Sequence, residues 1–342
     1  MEYNPINFPI DEGKHDSITE WWYLNGILNS KKDKQRFAYM STLFRVKYPT
    51  ILGGIFSFLP SHDAYVYHSI ITDLTNKKYY PNIEIVTISN DSFRDNNLSV
   101  KFVGRKSKND YSLLRENNNV YSTSGPNFNL ILGRTKPPIL IGETGFVDNV
   151  GEQTYYYSLS SLKTTGKLEI DNEVFEIFGN SWMDHQWGDF RAPKGYWNWF
   201  SVQLENNIEV ICYESGSKKG SKTLATISYS DGSQKSYSTV IISPNNKQWL
   251  SPKTGANYPL SWKVDIPEAN LFLEIDSLVD DHEMTFWYIN YWEGPSKVTA
   301  KFCGKQIYGQ GFIELVGRHS KIHNHGPIVS FLLGQIVKND YS

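Results

Sequence analysis

Trp22-Tyr23-Leu24-Asn25-Gly26-Ile27-Leu28 runs through Asn29-Ser30-Lys31-Lys32-Asp33-Lys34 into Phe37-Ala38-Tyr39-Met40-Ser41-Thr42-Leu43-Phe44, and reads as two strands joined by a polar turn. Short runs of the same style recur at 65–73, 83–88, 98–103, 128–132, 155–159, 167–170 and 174–178. They continue at 199–213, 222–228, 236–242, 260–265, 271–275, 285–291, 298–302 and 306–316. Turn clusters such as Asp231-Gly232-Ser233 and Cys303-Gly304-Lys305 punctuate them. No long helical period is present. Evenly spaced antiparallel strands of this kind predict an all-β protein built from barrels or sandwiches.

The length, 342 residues, exceeds one ordinary core and fits two domains. The turn-like stretch Arg191-Ala192-Pro193-Lys194-Gly195 sets the expected boundary, giving domains 1–192 and 193–342. An internal echo supports two copies of one architecture. Phe178-Gly179-Asn180-Ser181-Trp182-Met183-Asp184 aligns with Tyr308-Gly309-Gln310-Gly311-Phe312-Ile313-Glu314, and each half opens on tryptophans, Trp21-Trp22 and then Trp197 and Trp199. After Arg318 the chain reads as a loosely attached tail, with an apolar patch at 328–333 expected to dock as a short strand or helix.

A net charge of -2, with basic residues scattered, argues against nucleic-acid and anionic-membrane partners. The N-terminus has neither a basic n-region nor an apolar h-region, and no stretch approaches the roughly 18 apolar residues of a membrane span. The two cysteines, Cys212 and Cys303, do not make a disulfide framework. Together these lead to the expectation of a cytoplasmic protein without an integral membrane segment. Aromatic residues make up 15% of the chain, which fits either a β core with surface tyrosines or an aromatic-lined cavity.

The densest chemistry lies in Trp182-Met183-Asp184-His185-Gln186-Trp187-Gly188. In a strand, Trp182, Asp184 and Gln186 share one face and Met183, His185 and Trp187 the other. Asp184 and His185 are candidate acid–base residues, and Trp187 a candidate aromatic wall. The echo at 312–314 matches Trp182 and Asp184 but has no counterpart of His185 or Trp187, so the functional weight falls on the second face. Glu20 is in phase with Trp22, Leu24 and Leu28. An inward carboxylate there would be raised in pKa and able to give a proton, although a structural acid bonding the turn at Gly13 fits equally. Tyr67 and His68 lie in an apolar strand and are candidate lining residues; a satisfied core histidine is the plainer reading of His68. Of Tyr213 and Glu214, one must face inward, because Phe200, Val202 and Leu204 alternate ahead of them. Asp280-Asp281-His282-Glu283 superficially suggests metal ligands, but consecutive ligands on a strand diverge, and a solvated turn is expected. No phosphate loop, nucleophile elbow or paired-cysteine signature appears, so neither a metal nor an organic cofactor is expected.

These residues resemble the lipocalin-like superfamily of the carotenoid hydratases (hydroxyneurosporene synthases) and AttH-like proteins, which also includes fungal Diels–Alderases. Asp11-x-Gly13-x-His15, Glu20-Trp21-Trp22-Tyr23-x-x-Gly26-x-Leu28, His68 with Asp73, Tyr156-Tyr157-Ser158 and Trp182 to Trp187 carry the resemblance in the first half. Trp197-x-Trp199-Phe200, Trp249-x-Ser251-Pro252, Tyr258-Pro259, Tyr291-Trp292-Glu293-Gly294 and Gly309-x-Gly311-x-x-Glu314-Leu315 carry it in the second. The resemblance implies two consecutive lipocalin-like β-barrels and a hydrophobic ligand handled without metals or organic cofactors. It places His185, Trp187 and Tyr213 in the active region. The acid that the hydratase pattern has two residues beyond the tyrosine is replaced here by Ser215, with Glu214 next to it. The expected activity is cyclisation or hydration of a hydrophobic polyene, terpenoid or polyketide. Asp184 or Glu20 would supply the proton and Trp22, Trp187 and Trp199 would line the site; a non-catalytic carrier of an apolar ligand is the alternative.

Overall fold

A computed structural model describes residues 4–50, 60–88, 97–149, 152–189, 195–217, 220–286 and 289–318. Within them the chain is β throughout apart from 3-10 turns at Ile10–Glu12 and Pro267–Ala269. The expected boundary stretch at 191–194 and the tail patch at 328–333 lie outside the described residues.

The first twelve strands are β1 (Thr19–Ser30), β2 (Arg36–Tyr48), β3 (His62–Asp73), β4 (Lys78–Thr87), β5 (Ser99–Gly104), β6 (Asp110–Arg115), β7 (Val120–Gly125), β8 (Phe128–Arg134), β9 (Ile139–Leu140), β10 (Phe146–Asn149), β11 (Glu152–Ile170) and β12 (Glu173–Gly188). They form one sheet in the order β10-β11-β12-β1-β2-β3-β4-β5-β6-β7-β8, and β8 pairs back onto β11. The path from β11 round to β8 therefore closes as an antiparallel barrel of 10 strands among the described residues. Closure depends on β11. The sequence reads it as two runs, yet it is a single strand of 19 residues with a bulge between Leu159 and Leu162. A bulge bends a strand. Here the half before it pairs with β9 and the half after it with β8, while both halves hold β12. Inside the barrel, Trp22, Leu24, Leu28, Phe37, Tyr39, Tyr67, Leu130, Tyr157 and Met183 belong to one buried cluster.

The remaining strands are β13 (Tyr196–Leu204), β14 (Glu209–Ser217), β15 (Gly220–Ser228), β16 (Gln234–Tyr237), β17 (Ile241–Pro244), β18 (Gln248–Leu250), β19 (Asn257–Pro259), β20 (Ser261–Ile266), β21 (Leu271–Ser277), β22 (Glu283–Phe286), β23 (Ile289–Phe302) and β24 (Lys305–Val316). All but β18 and β19, which pair with each other, form a second sheet in the order β16-β15-β14-β13-β24-β23-β21-β20-β17, with β22 on β23. Its core includes Phe200, Val202, Cys212, Tyr258, Trp262 and Trp292. Among the described residues two compact units result: one from residues 4–47, 63–147 and 153–189, the other from the described residues of 48–62, 148–152 and 195–318.

The internal echo has a physical basis. In each unit a long hairpin ends on a strand that pairs with that unit's first long strand, β12 on β1 and β24 on β13. Each hairpin turns through two residues with positive φ, Asp171-Asn172 (52° and 66°) and Cys303-Gly304 (47° and 81°). That is the turn whose twist matches paired strands. The echoed glycines serve one purpose: a Cβ on Gly179 would overlap the carbonyl oxygen of Ile27, and one on Gly309 that of Gln203. Gly179→Ala and Gly309→Ala should therefore each destabilise the protein by about 1–3 kcal/mol, as overpacking against unyielding backbone does. A urea unfolding midpoint that does not move in either variant would refute this close approach.

Candidate acid–base site

The register of three strands assembles the site. Glu20 lies opposite Arg45 on β2 and Trp187 on β12, Trp22 lies opposite His185, and Tyr157 on β11 also lies opposite His185. Directly opposed residues point to the same face. Glu20, Trp22, Tyr157, His185 and Trp187 therefore converge inside the first barrel, where all five are buried. Two segments that the sequence reads separately, Glu20 in phase with Trp22 and His185 in phase with Trp187, meet as neighbours.

Hydrogen bonds to a carboxylate fix the protonation of its partners, because an ionised carboxylate only accepts. His15 Nδ1 lies 2.8 Å from Glu20 Oε1 and its Nε2 3.3 Å from Asp11 Oδ1. Both ring nitrogens must donate, so His15 is an imidazolium. Burial opposes that charge, but the bonds to Asp11 and Glu20 overcome it and raise its pKa. His185 Nε2 lies 3.1 Å from Glu20 Oε1, which makes Nε2 the donor. Burial dominates at this ring, and despite Glu20 it pushes the pKa down to about 4. A neutral His185 then leaves Nδ1 as an acceptor, 3.3 Å from the Tyr157 hydroxyl.

Glu20 behaves opposite to the expected proton donor. Burial alone would raise it, but hydrogen bonds from His15 and His185 and the charge of Arg45 hold it down at about 2. Arg45, itself fully buried, donates Nε to Glu20 Oε2 at 3.1 Å and an Nη to Asp63 at 2.8 Å. Its other Nη bonds the carbonyls of His15 and Ser17 at 3.0 and 2.8 Å and the Ser17 hydroxyl at 2.7 Å. Lys14 pairs with Asp63. The cations Lys14, His15 and Arg45 thus face the anions Asp11, Glu20 and Asp63.

Aromatic rings enclose the imidazoles. Trp187 stacks on His15 with centroids 3.8 Å apart and planes at 2°, Trp22 stacks on His185 at 4.8 Å, and Tyr157 meets His185 edge-on at 5.4 Å. An adjoining cavity lined by Trp22, Leu43, Tyr67, Phe102 and Tyr111 has room for about one water molecule. His15, Glu20 and His185 also form, among the described residues, a set with metal-ligand spacing, their donor atoms within 4.8 Å of one another. An ion there would have to displace the His15 proton and compete with the Arg45 guanidinium, so the set is read as holding protons.

Of the other sequence candidates, Tyr67 lines the adjoining cavity, Asp184 and His68 lie on other faces of their strands, and three belong to the second unit. Asp184 is on the opposite face of β12, where it accepts from Tyr156, from Ser158 Oγ at 2.5 Å and from Trp182 Nε1 at 2.5 Å. Burial outweighs these bonds and raises it to about 6, but it is tied to its own face of the sheet rather than to His185. His68 sits half-buried on the face of β3 opposite Tyr67, lowered to about 4 by burial. Trp199, Tyr213 and Glu214 belong to the second unit. Tyr213 shares the Trp199 face and burial raises its hydroxyl, whereas Glu214 follows Cys212 and Phe200 on the core face and accepts from Tyr196 and Asn198 at 3.0 and 2.9 Å. The expected solvated turn at 280–283 is only half so. Asp280 and Asp281 are exposed, but Glu283 is buried and accepts from Ser251, Thr254 and Tyr258, and His282 is buried against the Glu293 carbonyl.

Sequence reasoning missed Arg45 and left Tyr157 and His15 without roles. Counting outward from the turn between β1 and β2 would have placed Arg45 opposite Glu20. Nothing local marks it, because Phe44-Arg45-Val46 reads as any strand with one outward charge. Arg45→Met should destabilise the fold by about 3–5 kcal/mol, since two carboxylates lose a buried counter-charge. Chemical unfolding of the variant measures this, and a loss under about 1 kcal/mol would make the pair a surface-like contact.

The comparisons with known proteins agree with the all-β fold. A curated relative, dehydratase asqC of Emericella nidulans, is 24% identical over 275 residues, covering 75% of this chain and 77% of its own. The crystal structure of a putative AttH from Nitrosomonas europaea superposes with a TM-score of 0.75 at 25% identity, covering 92% of this chain and 98% of that one. Kievitone hydratase from Nectria haematococca superposes at 0.69 with 17% identity, over 92% and 94% of the two chains. The model of the AttH-like family matches residues 1–318, and the chain belongs to that family.

Proposed function

We propose that the protein is a cofactor-independent enzyme that adds water to, or removes it from, a hydrophobic natural product of polyene, terpenoid or polyketide type, with His185 as its acid–base residue. One observation carries this reading: neutral His185 is oriented through Nε2 by an ionised Glu20 and presents an unprotonated Nδ1 beside the Tyr157 hydroxyl, inside an aromatic box. That is the arrangement of a general base held in one tautomer by a carboxylate. In the dehydrating direction Nδ1 takes a proton from carbon as the neighbouring C–OH bond breaks. The proton and the hydroxide leave together as water, and Glu20 stabilises the transient imidazolium. Hydration is the reverse. The dehydratase and the hydratase among the relatives fit this reaction class.

A second reading draws on the aromatic walls. Trp22 and Trp187 around a proton-bearing centre would also stabilise a carbocation, by about 0.5–2 kcal/mol each when desolvated, and so favour cyclisation. A carrier without turnover would need only the apolar barrel.

His185→Gln and Glu20→Gln should each lower kcat/KM by roughly 10²–10⁴ on a panel of hydroxylated polyketides and prenylated aromatics, as loss of a general base does. Hydration in heavy water should place deuterium on the carbon next to the new C–OH, whereas dehydration should release the substrate's C–H proton to solvent. Retained activity in both variants, with Tyr213→Phe inactive, would move the chemistry to the second unit and sink the proposal.

The pH dependence follows from the same groups. His185 titrates near 4 rather than the ordinary 6.5, so kcat/KM should hold level down to about pH 4. Glu20, held at about 2 against an ordinary 4.5, contributes stability that is full above about pH 4.5 and is lost as pH falls toward 2. His185, depressed when folded, adds a loss in the same direction below 6.5. Unfolding midpoints between pH 7 and pH 3 should therefore fall with acid, and less so in Glu20→Gln.

A further inference from the structure

The N-terminal segment closes the chamber just described without pairing in its sheet. Its residues 4–13 contain no strand. Ile6 and Phe8 pack on the barrel core, and Phe8 meets the ring of Tyr157 edge-on at 4.9 Å. Asn4 donates its amide to the Tyr155 hydroxyl at 2.9 Å. Glu12 is buried, accepts from the Tyr121 hydroxyl at 2.7 Å, and through its carbonyl oxygen receives Trp22 Nε1–H at 3.1 Å. Glu12 also pairs with Arg115 at 3.1 Å and Asp11 with His15 at 3.3 Å, so each of these links has a side chain on at least one side and none is a strand-to-strand backbone bond. The chain beyond is held by the buried Arg45 on the carbonyls of His15 and Ser17 and enters the β1 ladder at Thr19.

Trp22 gives this arrangement a consequence. One face of its indole stacks on His185, its edge is held by the segment, and the same side chain lines the cavity with Tyr67 and Phe102. The indole is thus a partition between cavity and imidazole. A cavity with room for about one water cannot admit a substrate whose pocket would span roughly 300–1,000 Å³.

We propose that residues 4–13 are a lid that hinges at Gly13-Lys14. Lifting it withdraws Phe8 from Tyr157 and releases the Trp22 indole, opening the cavity onto His185; closing it re-forms the water-poor chamber. The inference rests on the reading that substrate reacts at His185, but its test involves no turnover, so the two can fail separately.

The reporter is the Trp22 indole N–H, whose hydrogen bond ends on the lid. Native-state hydrogen exchange followed by NMR, with the resonance assigned through Trp22→Phe, compares it with the backbone amides of Trp22 and Leu24 in β1. A lid that opens locally lets the indole proton exchange at least roughly 100-fold faster than those amides. Phe8→Ala should speed the indole about tenfold further and leave the β1 amides unchanged. Exchange of the indole at the slow rate of the β1 amides, or equal acceleration of both in Phe8→Ala, would mean that the segment leaves only on global unfolding and would overturn the proposal.

Discussion

The contact between Arg45 and Glu20 organises the chemistry of the first unit. Two fully buried, oppositely charged groups face each other across β1 and β2, and each has further partners to satisfy. A lone buried ion would be strongly destabilising. Here the guanidinium spends its donors on two carboxylates, two carbonyls and a hydroxyl, and Glu20 spreads its acceptors over Arg45, two imidazoles and the His15 amide. Everything else in the site follows from the ionised Glu20. It forces His15 to be charged and selects the tautomer of His185. A protonated Glu20 would leave Arg45 with Asp63 as its one carboxylate partner and His185 free to turn.

Three cations against three anions, with Arg45 and Glu20 buried and Lys14, Asp11 and Asp63 reaching toward solvent, give a site that is polar yet balanced. The aromatic rings then keep water from it, which is why two adjacent imidazoles differ in charge. His15 faces two carboxylates and holds its proton; His185 faces one, shared, and burial decides. The same barrel wall carries Asp184 on its other face, where three donors from Tyr156, Ser158 and Trp182 bind the strands together. One strand thus serves architecture on one side and chemistry on the other.

Much of this was legible in the sequence, because a strand's alternation assigns faces. The alternation puts His185 with Trp187 and Glu20 with Trp22, and the echo shifts weight toward the His185 face while leaving Asp184 a candidate proton donor. What stayed hidden depends on which strands become neighbours. That His185 touches Glu20 depends on the pairing of β12 with β1, between residues some 165 positions apart. The direction of the Glu20 shift was misjudged for the same reason, since burial was readable and the three cationic or imidazole partners were not. The split of the 280–283 run also depends on distant residues, because Glu283 is buried by donors at 251, 254 and 258.

The pairing of first strand with last has a consequence for how the chain is made. β1 finds one of its two neighbours in β2 at once, but the other, β12, is not synthesised until residue 188. Until then the nascent first unit carries an open edge, with Trp22 and Glu20 lacking the partners that bury them. Closure of such a non-local sheet is slow compared with hairpin formation, and unpaired edges invite association between chains. The second unit repeats the situation, with β13 waiting for β24. A growing chain of this family therefore passes twice through a stage in which an almost complete sheet has one vacant seam. Those two moments are when it most needs protection from its neighbours.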